Sequence, residues 1–151
     1  MLKTIAGTAS LALFAAVLGT VSGPWIAPSA AMSAYKWKSR PLLIFAPSSK
    51  VSEFDRQKST VTANMAGFRE RDMVVIYVAG GSVTTALGRE PGRSAQALRA
   101  AYGVNNGEFR TILVGKDGGA KLRSSKPVSA NRLFGLFDSM PMRQQEMQER
   151  G

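Results

Sequence analysis

Two uninterrupted apolar runs constrain the fold of this chain more than any other feature. The first covers residues 42–46 and ends at Pro47, and the second covers residues 73–78 and ends at residues 79–81, Ala-Gly-Gly. Apolar runs of this length without polar alternation are typical of strands that are buried on both faces of a sheet. Because the segment 52–68 between them has helical periodicity, the order predicts a βαβ unit with parallel strands and a right-handed crossover.

The helix predicted for residues 52–68 rests on apolar residues that recur at spacings of seven, four and three. These residues, which would share one helix face, are Phe54, Val61, Met65 and Phe68. Ser52, with Asp55 three residues later, has the arrangement of an N-terminal capping box. The pattern therefore predicts one continuous helix that Ser52 caps.

The second half of the chain begins with a predicted helix and a predicted hairpin. Residues 94–102 place apolar side chains on one helical face, and Gly103 follows at the position where a left-handed residue commonly ends a helix. Residues 109–114 and 120–124 are predicted to be antiparallel strands joined by the turn 116–119.

A further helix is predicted near the C-terminus. Ser129 is its expected N-cap, and Val128 is placed to contact Leu133. Pro141 is expected to interrupt this helix. Residues 142–150 either form another short helix or a frayed tail, because isolated helices of this length are marginally stable.

The predicted elements follow the order β-α-β-α-β-β-α, which is the core order of the thioredoxin-like fold, an α/β fold with a four-stranded mixed sheet between helices. The strands would be residues 42–46, 73–78, 110–114 and 120–124, with the first two parallel and the last two forming a hairpin at one side. Residues 79–93 are predicted to be a long loop. The predicted core comprises Leu43, Phe45, Phe54, Val61, Met65, Val75, Tyr77, Leu98, Ile112, Val114, Leu133 and Phe137.

Three segments resemble a family of small exported bacterial proteins that is known only as a domain of unknown function. They are PLLIFAPS at 41–48, LVGKDGGAKLRS at 113–124 and FDSMPMR at 137–143, and the resemblance extends over about residues 35–148. A related module occurs in animal extracellular proteins with sushi repeats. The resemblance implies a thioredoxin-like fold related to peroxiredoxins, and it implies no reaction.

The chain contains neither cysteine nor histidine, which excludes several classes of active site. Disulfides, thiolate nucleophiles, zinc–thiolate sites and Ser-His or Cys-His catalysis cannot be built. Thioredoxin-like enzymes carry redox cysteines between the first strand and its helix, where this chain has Ser48 and Ser49. Thiol–disulfide oxidoreductase and thiol peroxidase chemistry are therefore excluded. A serine nucleophile at this junction would need Lys50 or a carboxylate as its base.

The N-terminal segment has the layout of a secretory signal. Between Lys3 and Lys36, 32 consecutive residues carry no charge, and an apolar stretch at 5–21 is followed by a break with small residues. Residues 1–34 are therefore assigned to a signal peptide with its cleavage region, and residues 35–151 to a single domain. Cleavage would leave an exported protein, periplasmic or extracellular, without a membrane span. The alternative is an uncleaved N-terminal membrane anchor.

The net charge of the chain is strongly positive, at +10, and the basic residues are spread rather than grouped in blocks. A basic surface attracts anionic partners through its summed field. In an exported protein this charge favours an acidic protein, an acidic polysaccharide or anionic lipid headgroups over nucleic acid as the partner.

A ligand site is predicted beyond the carboxyl ends of the two parallel strands, where open sheets of this kind commonly bind ligands. The residues expected to meet there are Ser48, Ser49, Lys50, Arg93 and Arg110. Together with the N-terminus of the 52–68 helix, they would hold a carboxylate, sulfate or phosphate group. No metal site and no cofactor are predicted, because Asp117 and Asp138 have no carboxylate near them in sequence and the methionines fit core packing.

These observations predict a non-catalytic binding or interaction module without thiol redox activity. Two alternatives stay open at this point. One is an envelope-associated enzyme that uses serine and lysine chemistry at residues 48–50. The other is a structural protein that its charge holds to anionic surfaces, an association that salt would weaken.

Overall fold

A five-stranded mixed sheet organises residues 31–151, the part of the chain that the computed structural model describes. The predicted signal peptide therefore lies almost entirely outside the described residues. The strands are β1 (Arg40–Ala46), β2 (Met73–Ala79), β3 (Ser82–Leu87), β4 (Arg110–Val114) and β5 (Ala120–Ser124), in the spatial order β3-β2-β1-β4-β5. The helices are α1 (Ser52–Ala63), α2 (Met65–Glu70), α3 (Ala95–Tyr102), α4 (Ala130–Asp138) and α5 (Pro141–Arg150), and a 3-10 turn spans Ser33–Tyr35.

Strand β1 lies at the centre of the sheet, and all seven of its residues are buried. It pairs in parallel with β2, so that Leu43 lies beside Ile76, and antiparallel with β4, so that Leu43 lies beside Ile112 on its other side. Strands β4 and β5 form an antiparallel hairpin at one side of the sheet. The predicted parallel pair and the predicted hairpin are both confirmed.

Helices cover both faces of the sheet, which explains why β1 and β2 show no polar alternation. On one face Leu43 and Phe45 pack with Leu98 and Tyr102 of α3. On the other face the even-numbered residues of β1 pack against α1, α2 and α4, and this cluster includes Phe54, Val61, Phe68, Leu133 and Phe137. Of the predicted core residues only Met65 is half-buried, and the others are buried.

The prediction of four strands is wrong, because the expected loop 79–93 contains the edge strand β3. Gly80 and Gly81 form a two-residue connection between β2 and β3, and Ala79 pairs directly with Ser82. Gly80 adopts a positive φ of 57°, which glycine tolerates without steric strain. The strand itself is half-exposed and three of its six residues are polar, so it lacks the apolar run that marks β1 and β2.

The predicted single helix over 52–68 is two helices, separated at Asn64. The Asn64 side-chain amide donates to the Thr60 carbonyl at 2.8 Å, the acceptor that its own backbone N–H would use in a continuous helix. That N–H donates to the Val61 carbonyl instead. Ser52 is not the predicted cap, because Val51 occupies the N-cap position and the Ser52 hydroxyl donates to Glu53.

The other helix boundaries follow the sequence closely. Ser94 and Ser129 are N-caps whose hydroxyls accept backbone N–H groups of Ala97 and Arg132, as a serine at this position commonly does. Gly103 ends α3 with a φ of 63°. Of the two alternatives for the C-terminal segment, the helix is confirmed, and Pro141 is its first residue. No helix within residues 31–151 has the length and apolar character needed to cross a membrane.

Candidate functional site

A cavity of about 610 Å³ lies beyond the carboxyl ends of the parallel strands β1 and β2. Its wall contains the residues that follow these strands, the first turn of α3 and the approach to β4. The lining residues are Pro47, Gly80, Gly81, Ser94, Ala95, Gln96, Arg99 and Asn106. Cavities of a few hundred Å³ with several polar groups are typical of small-molecule sites.

Arg99 is the one charged residue that lines this cavity. It lies on α3 and is only 5% exposed. Its Nη2 donates to the carbonyls of Ala46 and Val78 at 2.8 and 3.4 Å, and its Nη1 donates to the Gly80 carbonyl at 2.5 Å. The guanidinium is therefore fixed against the ends of both parallel strands.

The Arg99 guanidinium keeps unused hydrogen-bonding capacity. A guanidinium carries five N–H donors, and three hydrogen bonds to carbonyls are present. The buried Nε has no hydrogen-bond partner among the described residues. A buried donor without an acceptor costs free energy, and an acceptor supplied by a ligand would offset that cost.

The electrostatics of Arg99 also favour an anion in the cavity. Among residues 31–151 no carboxylate forms an ion pair with Arg99, and burial lowers the pKa of its guanidinium because the charged form is desolvated. An anion in the cavity would offset that desolvation. The first turn of α3 also contains no acidic residue, so its backbone dipole adds a partial positive charge at the cavity wall.

None of the five residues predicted from the sequence lines the cavity, although Ser48 and Arg93 are next to lining residues in the sequence. Ser48 follows Pro47, and its hydroxyl accepts the backbone N–H of Lys50 at 3.2 Å. Ser49 and Lys50 are exposed, as is Arg93, which precedes the cavity-lining Ser94. Arg110 lies at the start of β4 and pairs with Glu108 at 3.1 Å. This hydrogen bond is the main reason that the pKa of Glu108 is lowered, and the Glu108 carboxylate partly neutralises the positive charge of Arg110.

The predicted contribution of the first crossover helix is opposed by its own sequence. Glu53 and Asp55 lie in the first turn of α1, where their negative charges occupy the region in which a bound anion would gain from the helix dipole. The α3 terminus has no such carboxylates. Of the two helix starts near this edge, the electrostatics therefore favour α3.

Sequence reasoning missed Arg99, although a signal for it exists. Ala95, Leu98, Arg99 and Tyr102 follow helical spacing, so the arginine falls on the apolar face of its helix. A charged residue on a buried face needs a partner or a function. No group of three or more acidic, histidine or cysteine side chains in residues 31–151 is arranged to hold a metal ion.

One family model matches the chain over residues 31–146, and its description is Domain of unknown function (DUF4174). The match contains every strand of the sheet, the whole cavity and Arg99. It also contains the five residues that the sequence predicts for the ligand site. The match therefore covers the structural unit that forms the site.

Proposed function

Because the chain belongs to the DUF4174 family, whose description names no activity, we propose a function from the site itself: a non-catalytic module that binds a small anionic ligand at the Arg99 cavity. The single observation that carries this proposal is the buried guanidinium, 5% exposed, with an unpartnered Nε and no ion pair within residues 31–151. A carboxylate, phosphate or sulfate group would supply both the missing acceptor and the missing negative charge.

The arrangement of the sheet supports a thioredoxin-like assignment as part of the proposal. Without β3, the remaining strands have the order β2-β1-β4-β5, with the first pair parallel and the last pair a hairpin. The redox position of such folds corresponds here to the junction after β1, at Ser48 and Ser49. Since the chain has no cysteine, thiol chemistry is absent, and binding is the function that this frame can retain.

The proposal also includes export, which rests on the uncharged N-terminal segment between Lys3 and Lys36. In an exported protein the ligand would be an extracytoplasmic anion. The net charge is +10 in the full chain and +9 once Lys3 is removed with the signal peptide. It raises the local concentration of such anions around the whole molecule, while the cavity selects one position for them.

Replacing Arg99 tests the proposal. Arg99→Met should weaken binding of inorganic phosphate by about 10-fold to 100-fold, the effect expected when a charged hydrogen-bond donor is lost. Arg99→Lys keeps a charge but loses the planar donor fork, so it should retain part of the binding. Isothermal titration calorimetry at constant ionic strength measures both dissociation constants.

Arg132→Met is the matched control, because Arg132 is exposed on α4 and its side chain forms no ion pair within the described residues. It removes the same charge and should leave phosphate binding unchanged. An equal loss in both variants would reduce the effect to diffuse electrostatics. Unchanged binding in a folded Arg99→Met protein would refute the site.

The same calorimetric titration also tests Lys50 and Arg110, two of the residues predicted from the sequence. Lys50→Ala combined with Arg110→Ala should weaken binding more than Lys121→Ala combined with Lys126→Ala, because only the first pair flanks the carboxyl edge of the parallel strands. Equal effects from both pairs would show that Lys50 and Arg110 act only through the net charge.

A further inference from the structure

An exposed tryptophan lies near the start of β1, at the end of the parallel strands opposite the Arg99 cavity. Trp37 is 60% exposed, the largest value among the large hydrophobic side chains of the described residues. Lys36 and Lys38 on either side of it are also exposed. A solvent-exposed indole between two lysines is typical of a surface that contacts an anionic and partly apolar partner.

The backbone holds Trp37 in this exposed position. Its φ is +65°, a left-handed conformation that is rare and unfavourable for a bulky residue. Its N–H donates to the Lys116 carbonyl at 2.7 Å, and the N–H groups of Lys38 and Ser39 both donate to the Tyr35 carbonyl at 2.9 Å. Strained backbone that the surrounding hydrogen bonds maintain is concentrated at functional sites in proteins.

A second cavity, of about 290 Å³, is lined by Lys116, the residue whose carbonyl accepts the Trp37 N–H. Leu136, Met140, Pro141 and Met142 make one side of it apolar, and Met142 is 37% exposed. Its charged lining residues are Arg40, Lys116, Asp117 and Lys121. We call the surface formed by Lys36, Trp37, Lys38, Lys116, Lys121 and Met142 the tryptophan face.

The positive charge of the tryptophan face is only partly compensated. Lys121 pairs with Asp117 at 2.7 Å, and Lys116 pairs with Glu146 at 2.5 Å. Lys36 and Lys38 form no ion pair within residues 31–151, and the Lys36 ammonium lies 5.5 Å from the Trp37 ring centroid. Two lysines beside the indole therefore remain available to a negatively charged partner.

We propose that the tryptophan face docks on an anionic lipid bilayer. Tryptophan rings favour the membrane interface, where the indole body contacts acyl chains and the N–H remains hydrated, and lysines beside it bind lipid phosphates. Met142 adds apolar contact on the same face. An acidic polysaccharide would match the charge and its sugar rings would stack on the indole, but only a bilayer also offers acyl chains to Met142. A second copy would bring the same lysines against each other.

Fluorescence of Trp37 in the full chain tests this docking at the residue concerned. Trp25→Phe leaves Trp37 as the only tryptophan, since the chain has two. With vesicles of phosphatidylcholine and phosphatidylglycerol, the Trp37 emission should shift to shorter wavelength and be quenched by lipids brominated on their acyl chains. With pure phosphatidylcholine, which has no net negative charge to bind Lys36 and Lys38, the Trp37 emission should not change; an equal shift on these vesicles would show insertion that does not depend on anionic lipid.

Lysine variants in the same background identify the face. Lys36→Ser with Lys38→Ser should raise the phosphatidylglycerol concentration needed for half-maximal quenching by about 25-fold, or about fivefold for each lysine. Lys58→Ser with Lys126→Ser removes the same charge from exposed positions elsewhere and is the matched control. Equal shifts in the two double variants would overturn the proposal in favour of diffuse charge.

The remaining occupants give distinct results, and each would also overturn the proposal. A blue shift that grows with protein concentration in the absence of lipid would identify a second copy. A saturable shift with a soluble acidic polysaccharide, without quenching by brominated lipid, would identify a carbohydrate. An unchanged Trp37 emission in vesicles that retain the protein would show that the face does not enter the interface.

Discussion

Replacing Glu146 by glutamine should lower the free energy of unfolding by about 3 kcal/mol at neutral pH, because the substitution leaves a buried cation without its counter-charge. Glu146 on α5 accepts hydrogen bonds from Arg40 at 3.0 and 3.3 Å and from Lys116 at 2.5 Å. Arg40, the first residue of β1, is only 1% exposed, and its guanidinium lies 4.6 Å from the ring centroid of Phe137. Glutamine keeps the shape of the side chain, so the loss reports charge rather than packing.

Further ion pairs, made by Arg143, also hold the C-terminal helix on the fold. The one buried residue of α5 is Arg143, which pairs with Glu70 at 3.1 Å and with Asp138 at 3.3 Å. Urea unfolding of Glu146→Gln measures the loss, and Glu149→Gln, an exposed change on the same helix, is the control that should have little effect. A loss below about 1 kcal/mol, or an equal loss in both variants, would contradict a structural role for the Glu146 contacts.

The pH dependence of stability provides a second readout of this network. Burial acts to raise the pKa of Glu146, but the hydrogen bonds and charges of Arg40 and Lys116 outweigh it and the pKa is lowered. The Arg71 hydrogen bond is the main cause of the lowered pKa of Asp138. A carboxyl group with a lowered folded-state pKa binds fewer protons in the folded than in the unfolded state, so it stabilises the fold above its unfolded pKa.

This contribution is lost as the pH falls from the ordinary carboxyl values of 4.5 for Glu146 and 3.8 for Asp138 through the lower folded-state values. The wild-type protein should therefore lose stability through this acidic range. Glu146→Gln should show a shallower decline, because the contribution of Glu146 is already absent. Parallel pH profiles for the wild type and the variant would show that Glu146 is not a source of the acid sensitivity.

Gln57→Leu should lower the free energy of unfolding by about 3 kcal/mol or more, because it leaves buried backbone groups without partners. Gln57 is fully buried on α1. Its Nε2 donates to the Val128 carbonyl at 3.0 Å, and its Oε1 accepts the Val128 N–H at 2.7 Å. The amide thus replaces a strand partner for the segment that joins β5 to α4.

Thr111→Val is the matched control for the Gln57 network. The Thr111 hydroxyl donates to Gln57 Oε1 at a longer distance of 3.3 Å, and valine preserves the shape of the side chain. Loss of this hydroxyl should lower the free energy of unfolding by only about 1 kcal/mol, the usual value of one hydrogen bond. Thermal and urea unfolding measure both variants. A free energy of unfolding for Gln57→Leu that is no lower than that of Thr111→Val would contradict the assigned role of the Val128 contacts.

Much of this fold could be predicted from the sequence because local patterns carry it. The apolar runs of β1 and β2 identify strands buried on both faces, and Ser129 identifies a helix start through its capping chemistry. In each case the residues that form the sequence pattern are the same residues that make the packing contact or the capping hydrogen bond.

The differences between prediction and structure arise where contacts distant in sequence, or side-chain competition, decide the outcome. The edge strand β3 has no fully buried residue and depends on pairing with β2. The break at Asn64 depends on one side-chain amide that reaches Thr60. Arg99 becomes a site only because the ends of β1 and β2 bring the carbonyls of Ala46 and Val78 to one guanidinium.

The Nε–H resonance of Arg99, followed by ¹H–¹⁵N NMR during titration with phosphate at constant ionic strength, tests the anion site most directly. If the cavity holds the anion, this resonance should shift saturably, with the dissociation constant that calorimetry gives. The Nε–H of Arg71, which already donates to Asp138 at 3.0 Å, is the internal reference and should stay in place. An Arg99 resonance that moves no more than that of Arg71, while phosphate still binds the protein, would contradict an anion site at Arg99.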